Sequence, residues 1–167
     1  MFHILIYNSE NLRTLRDTEF DHSTDGLVFT PTILPVHSGT QYSMFKYKDV
    51  SHHTFDFKIV VETDDDEHQK LVFYMTNKSE LKKFMEGTTD NEDVNEFYKQ
   101  LIKLENYKES CLVECKYDME NDKYIPILVR TDKTHPNGQT TIQRTFVNIK
   151  ENIQVDDLIK LAEECGK

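Results

Sequence analysis

Residues 54–62, TFDFKIVVE, place a large apolar side chain at every second position: Phe55, Phe57, Ile59 and Val61. A period of two matches the pleat of a strand, and a helix cannot bring alternate residues to one face. Thr54, Asp56 and Lys58 take the opposite face. A strand of this kind has to lie in a sheet whose apolar side is covered. The acidic run at 64–67 ends it in a turn, and residues 70–76 pair back as a hairpin partner.

The rest of the chain supplies further strands and a few helices. HILIY at 3–7 reads as a buried strand, and Ser9 caps a short helical turn over 11–15. A strand over 27–29 follows Asp25-Gly26, where the glycine marks a tight backbone. Pro31, Pro35 and Gly39 punctuate a loop, and 42–48 forms the next strand, with Lys46 and Lys48 on one face. Residues 78–86 are ambiguous, a short helix being one reading. Asp90 caps a helix from Glu92, on which Val94, Phe97, Tyr98, Leu101 and Ile102 recur at helical spacing. Strands follow at 110–117 and 124–131, and Pro126 assigns the second to a sheet edge. After a break at 134–138, Ile142, Phe146, Ile149 and Ile153 recur at near-helical spacing, and 155–165 is an amphipathic helix.

The fold class expected is α+β. From residue 57 onward, four or five strands with an intervening helix and terminal helices suit a small OB-type β-barrel. The first part cannot close a core by itself and reads as the end of a larger sheet domain. The expected division is therefore 1–56 and 57–167.

Composition excludes several functions. The formal net charge is -10, whereas proteins that grip long nucleic acid by bulk charge are basic. Any phosphate contact must come from a few placed cations. Three cysteines without framework spacing point to a reducing, intracellular compartment. Cys111 and Cys115 lack partners at zinc-finger spacing. No apolar run spans a bilayer, so no membrane role is expected.

Two clusters carry residue types suited to chemistry. Asp25, Lys46, Lys48 and Asp56 lie within DGLVF, FKYK and HHTFDF. Taken singly, an Asp beside a Gly is a turn residue and alternate lysines mark a solvated face. Asp56 stands out as a carboxylate opposite a strongly apolar face. The second cluster is RTDKTHPN at 130–137. Arg130 offers a planar fork for phosphate oxygens, Lys133 a point charge, and Asp132 a group to orient them. A charged turn closed by Pro136 and Asn137 explains it about equally well.

In order, these segments resemble the later motifs of mRNA capping enzymes, the GTP:RNA guanylyltransferases of the covalent nucleotidyltransferase superfamily. The resemblance runs from about residue 22 onward, and TFDF with RTDK favours capping enzymes over ligases. It implies attack by a lysine on the α-phosphate of GTP, release of pyrophosphate, and transfer of GMP to the 5′-diphosphate end of RNA. On this resemblance Asp25 helps hold a divalent Mg2+ or Mn2+. Lys46 and Lys48 contact the α-phosphate region, and Asp56 supports them. Arg130, Asp132 and Lys133 sit on the OB domain, where Arg130 and Lys133 reach the β- and γ-phosphates as that domain closes. The family's nucleophile lies in Lys-x-Asp-Gly, whereas here Ser23 stands two residues before Asp25-Gly26. The chain is thus expected to be the C-terminal portion of such an enzyme, inactive alone and partnered by an N-terminal nucleotidyltransferase segment or other capping subunits. The alternative is a non-catalytic OB-fold binding module or a subunit of a capping apparatus. The Trp-free, lysine-rich, acidic style is similar to that of large DNA viruses, which leaves the nucleus, the cytoplasm or a virion as expected locations.

Overall fold

The computed structural model describes residues 8–21, 24–63 and 68–165. The strand expected at 3–7 and the acidic turn at 64–67 lie outside the described residues. The elements in order are α1 (Ser9–Asp17), β1 (Leu27–Phe29), β2 (Phe45–Tyr47), β3 (Thr54–Thr63), β4 (Gln69–Asn77), β5 (Glu80–Thr88), α2 (Glu92–Leu101), β6 (Ser110–Asp118), β7 (Lys123–Val129), α3 (Gln139–Glu151) and α4 (Val155–Cys165). A short 3-10 turn, Val50–His52, precedes β3. The chain divides into two compact units, one of residues 53–147 and one joining residues up to 52 with those from 148 onward. The expected division left the terminal helix with the barrel, but α4 packs on α1 instead.

The larger unit is built on β3. Its strand order is β5-β4-β3-β6-β7, antiparallel throughout. Phe55, Phe57 and Ile59 are fully buried on one face, as the alternation dictates. The sheet curls so that side chains from its two outermost strands meet. Phe84 of β5 and Tyr124 of β7 lie edge to face with centroids 6.1 Å apart. Phe57 touches both, at 5.0 and 5.2 Å. Aromatic pairs in such geometries add to the burial of their area. Helix α2 covers one opening through Phe97, 5.1 Å from Phe73, and Phe146 of α3 packs on Phe55 at 4.8 Å. This antiparallel arrangement, with a helix between its third and fourth strands, is consistent with the expected OB-type barrel. Pro126 lies on edge strand β7, where its missing N–H breaks no central ladder.

Residues 78–86 are not helical but lie largely in β5, hairpinned to β4 through Lys78 and Ser79, both at positive φ. The partner strand decided this, because β4 offers a ladder that an isolated helix of that length lacks. Two capping assignments also shift by one residue. Asn8, rather than Ser9, caps α1 by accepting from the Asn11 N–H at 2.7 Å. Asn91, rather than Asp90, caps α2 by accepting from Asp93 and Val94. An asparagine oxygen serves as well as Ser or Asp in this role.

The smaller unit is thinner. Leu12 of α1 is buried against Ile159 and Ala162 of α4, with Leu27, Phe29 and Leu158 packed around them. Arg16 joins the two helices by an ion pair to Asp156 at 2.6 Å. Strands β1 and β2 form a separate two-stranded ribbon, and the strand expected over 42–48 is confined to Phe45–Tyr47. Val28, Ile33, Leu34, Val36, Tyr42 and Phe45 are all exposed here. The three cysteines are unpaired thiols, and Cys115 is fully buried, so burial pushes its thiol well above the ordinary range. Among the described residues no helix is long and apolar enough to cross a membrane.

Candidate functional site

Asp25 sits at the mouth of the two-stranded ribbon because of Gly26. That residue has φ +130°, and a Cβ there would lie 2.0 Å from the Tyr47 carbonyl oxygen. Only glycine allows this approach. It brings the Asp25 carboxylate beside β2, where Lys46 Nζ donates to Oδ2 at 2.7 Å and Lys48 Nζ lies 2.6 Å from Oδ1. The lysines predicted to share a face thus converge on one carboxylate. Lys48 also donates to the His52 carbonyl at 3.3 Å. Partial burial alone would raise the Asp25 carboxyl, but hydrogen bonds from Lys46 and Lys48 outweigh it and hold the group below its ordinary range.

This arrangement does not by itself fit a divalent cation. Both Asp25 oxygens are taken by ammonium groups, so a divalent ion would have to displace Lys46 and Lys48 to reach them. Among the described residues no group of three or more His, Cys, Asp or Glu side chains is placed to hold a metal.

The second cluster is centred on Asp56, which points away from the apolar face of β3 yet is buried, its side chain only 7% exposed. Lys133 Nζ donates to Oδ2 at 2.5 Å and Arg130 Nη1 to Oδ1 at 3.2 Å. Asn137 Nδ2 adds a bond to Oδ2 at 3.2 Å. Arg130 follows the end of β7, and its backbone N–H donates to the Leu112 carbonyl at 2.8 Å. Its guanidinium binds Asp132 through Nε at 2.8 Å and Nη2 at 2.7 Å, while Nη1 also reaches Glu114 at 2.9 Å. The fork on Asp132 raises the Arg130 pKa further and lowers Asp132 to about 2. Asp25, Lys46 and Lys48 therefore form one group, and Asp56, Arg130, Asp132 and Lys133 form another. Asp56 was expected to support Lys46 and Lys48; the partners that bury it are Arg130, Lys133 and Asn137.

Two members of the second group went unassigned in the sequence. Glu114 lies directly opposite Asp56 in the β3–β6 ladder. Its alternation with buried Val113 and Cys115 was the signal that it shares the outward face of Asp56. Asn137 closes the RTDKTHPN segment, in which the sequence gives its side chain no role. It behaves as a one-residue strand between β3 and β4. Its N–H donates to the Asp56 carbonyl at 2.8 Å and its Oδ1 accepts from the Asp56 N–H at 2.9 Å. Its carbonyl accepts from the Thr76 N–H at 3.0 Å. The 130–137 loop is thereby stitched into the sheet, and Lys133 and Arg130 are held over Asp56.

The second group can present cations in fixed positions, but its two cations face three carboxylates, so it carries no net positive charge. An incoming phosphate would have to replace a carboxylate, and Asp132 is the most exposed of the three, at 64%.

The family model described as mRNA capping enzyme, C-terminal domain, matches residues 52–159, which include the whole second group. Curated relatives include the mRNA-capping enzyme subunit alpha of Schizosaccharomyces pombe, 28% identical over 83% of this chain. The proteins of the same name from Kluyveromyces lactis and Candida glabrata are 25% and 24% identical, each over 86% of the chain. The chain spans between 36% and 40% of the length of these three relatives.

Proposed function

The chain belongs to the mRNA capping enzyme C-terminal domain family, and from that premise we propose that it is the C-terminal portion of a guanylyltransferase that moves GMP from GTP to the 5′-diphosphate end of RNA. The observation that carries this is the gathering of Asp56, Arg130, Asp132 and Lys133 into one hydrogen-bonded group inside the region that the family model matches. A planar guanidinium fork and an ammonium fixed over a buried carboxylate suit the oxygens of a departing pyrophosphate. On this reading Arg130 and Lys133 engage the β- and γ-phosphates. Lys46 and Lys48 serve the α-phosphate, and both exchange Asp25 for phosphate oxygens. The attacking lysine comes from a segment other than the one containing Asp25-Gly26, because Ser23 stands at the corresponding position. Nascent RNA ends and other capping components are the partners, in the nucleus, the cytoplasm or a virion.

The test is covalent labelling. The chain is incubated with radiolabelled GTP and Mg2+ or Mn2+ and resolved on a denaturing gel, beside a longer enzyme carrying an upstream Lys-x-Asp-Gly. The expected result is an adduct on the longer enzyme and none on this chain. A labelled band at the mass of the chain contradicts the assignment of the nucleophile.

A second reading, a non-catalytic OB-fold module, draws on the internal pairing of the Arg130 group, which also serves as a structural tie. Lys48→Ala and Arg130→Ala in the longer enzyme discriminate. Loss of the adduct supports catalysis; an unchanged adduct with altered partner binding supports the module.

A further inference from the structure

Glu114 lies in no segment that carried the resemblance, yet it makes the shortest contact to the inner nitrogen of Arg130. It stands across the β3–β6 ladder from Asp56, and two carboxylates facing each other on neighbouring strands repel. The pair is tolerable because Arg130 Nη1 bridges it, at 2.9 Å to Glu114 and 3.2 Å to Asp56. The guanidinium is thus held by its inner corner. Its other edge, Nε with Nη2, turns outward and carries Asp132 as a two-point ligand. That edge is the one whose spacing matches two oxygens of a phosphate.

From this geometry we infer that Glu114 is a positioning residue, which fixes the face of Arg130 so that its Nε–Nη2 edge is presented to phosphate. Asp132 is the exchangeable occupant of that edge. It lies on the exposed loop two residues from Arg130, and exposed ion pairs are cheap to break. Glu114 and Asp56 are shielded by the sheet and keep their bonds while Asp132 is replaced. This inference rests on the reading of Arg130 as a residue that contacts the leaving pyrophosphate.

The inference has a sign that simple charge counting does not share. Glu114 adds negative charge near a site for anions, so on bulk electrostatics Glu114→Ala should favour phosphate and speed the first step. Positioning demands the reverse. The two half-reactions of the longer enzyme separate the effects, because the β- and γ-phosphates are present only in the first. Hydrogen bonds to charged groups set the expected size, so Glu114→Ala should slow formation of the GMP adduct roughly tenfold to a hundredfold. Transfer of GMP from the isolated adduct to diphosphate-ended RNA should stay within about twofold of the parent. Glu114→Gln keeps an acceptor for Nη1 and should recover most of the first step.

Unchanged or faster adduct formation in Glu114→Ala overturns the inference, and so does equal slowing of both steps, which marks a general loss of structure. A companion measurement uses this chain alone: the Arg130 Nε–H resonance is followed by NMR during titration with inorganic pyrophosphate. The expected result is a shift in the wild type that weakens in Glu114→Ala and is largely kept in Glu114→Gln. No wild-type response to pyrophosphate also overturns the inference. A wild-type response without any adduct on the longer enzyme strikes the proposed function and leaves the positioning of Arg130 standing.

Discussion

Asp25 and Asp56 each hold two cationic side chains, yet they are opposite kinds of site. Asp25 is 59% exposed, at the edge of a ribbon of two short strands, and its partners are flexible lysines. Asp56 lies on the central strand of a five-stranded sheet, its carboxylate buried and its backbone bonded to Asn137. Water competes for every bond that Asp25 makes, so its partners can be exchanged at small cost. Asp56 has lost its water and depends on the groups that replace it. The same residue types therefore form a switchable contact in one unit and a structural tie in the other.

The largest test of this contrast is to remove each carboxylate. Asp56→Ala leaves Arg130 and Lys133 without their common partner. It should destabilise the chain by about 3 kcal/mol, the low end for a broken buried pair because Glu114 and Asp132 remain on Arg130. Urea denaturation followed by circular dichroism measures this, and a loss below about 1 kcal/mol would place Asp56 with the surface pairs. Asn137→Ala removes the side-chain bonds to Asp56 while keeping the backbone ones. An expected loss of about 1–2 kcal/mol follows from leaving a buried polar group short of a partner. A neutral result would show that the backbone bonds alone hold the 130–137 loop.

Asp25→Ala should change stability by no more than about 1 kcal/mol. On the proposed function Lys46 and Lys48 exchange Asp25 for phosphate oxygens, so adduct formation in the longer enzyme should be largely retained as well. Coupled loss of both would make Asp25 a structural residue like Asp56.

The smallest effect is on pH dependence. Asp132 and Asp25 both have folded values below their unfolded ones. Such groups contribute stability that is present above the unfolded value, about 3.9, and lost as pH falls through the folded one. For Asp132 that window runs from about pH 4 down to about 2. Because the group is exposed, the loss should be slight. Carboxyl-carbon NMR titration checks it directly, and an Asp132 midpoint at the unfolded value would mean that the fork to Arg130 does not persist in solution.

Much of the fold was legible because it is periodic. The alternation through β3 placed Phe55, Phe57 and Ile59 inward and left Asp56 opposite them. The spacing of Phe97 and Leu101 specified α2 in the same way. Strand β5 was not legible, since Lys82, Lys83 and Glu86 carry no clear period and its pairing with β4 decides its form. The site was legible as residue types and order, whereas its grouping was not. Nothing in FKYK or TFDF says that Lys46 and Lys48 close on Asp25, or that Asp56 closes on Arg130.

By itself the sequence determined which faces are apolar, where the chain turns, and which carboxylates and cations are available, because these depend on neighbours along the chain. Only the tertiary structure decided their partners. Asp56 and Arg130 are 74 residues apart, and their meeting depends on the register of β3 against β6 and on Asn137 lying between β3 and β4. Long-range register follows from the packing of the whole barrel, and no local spacing encodes it.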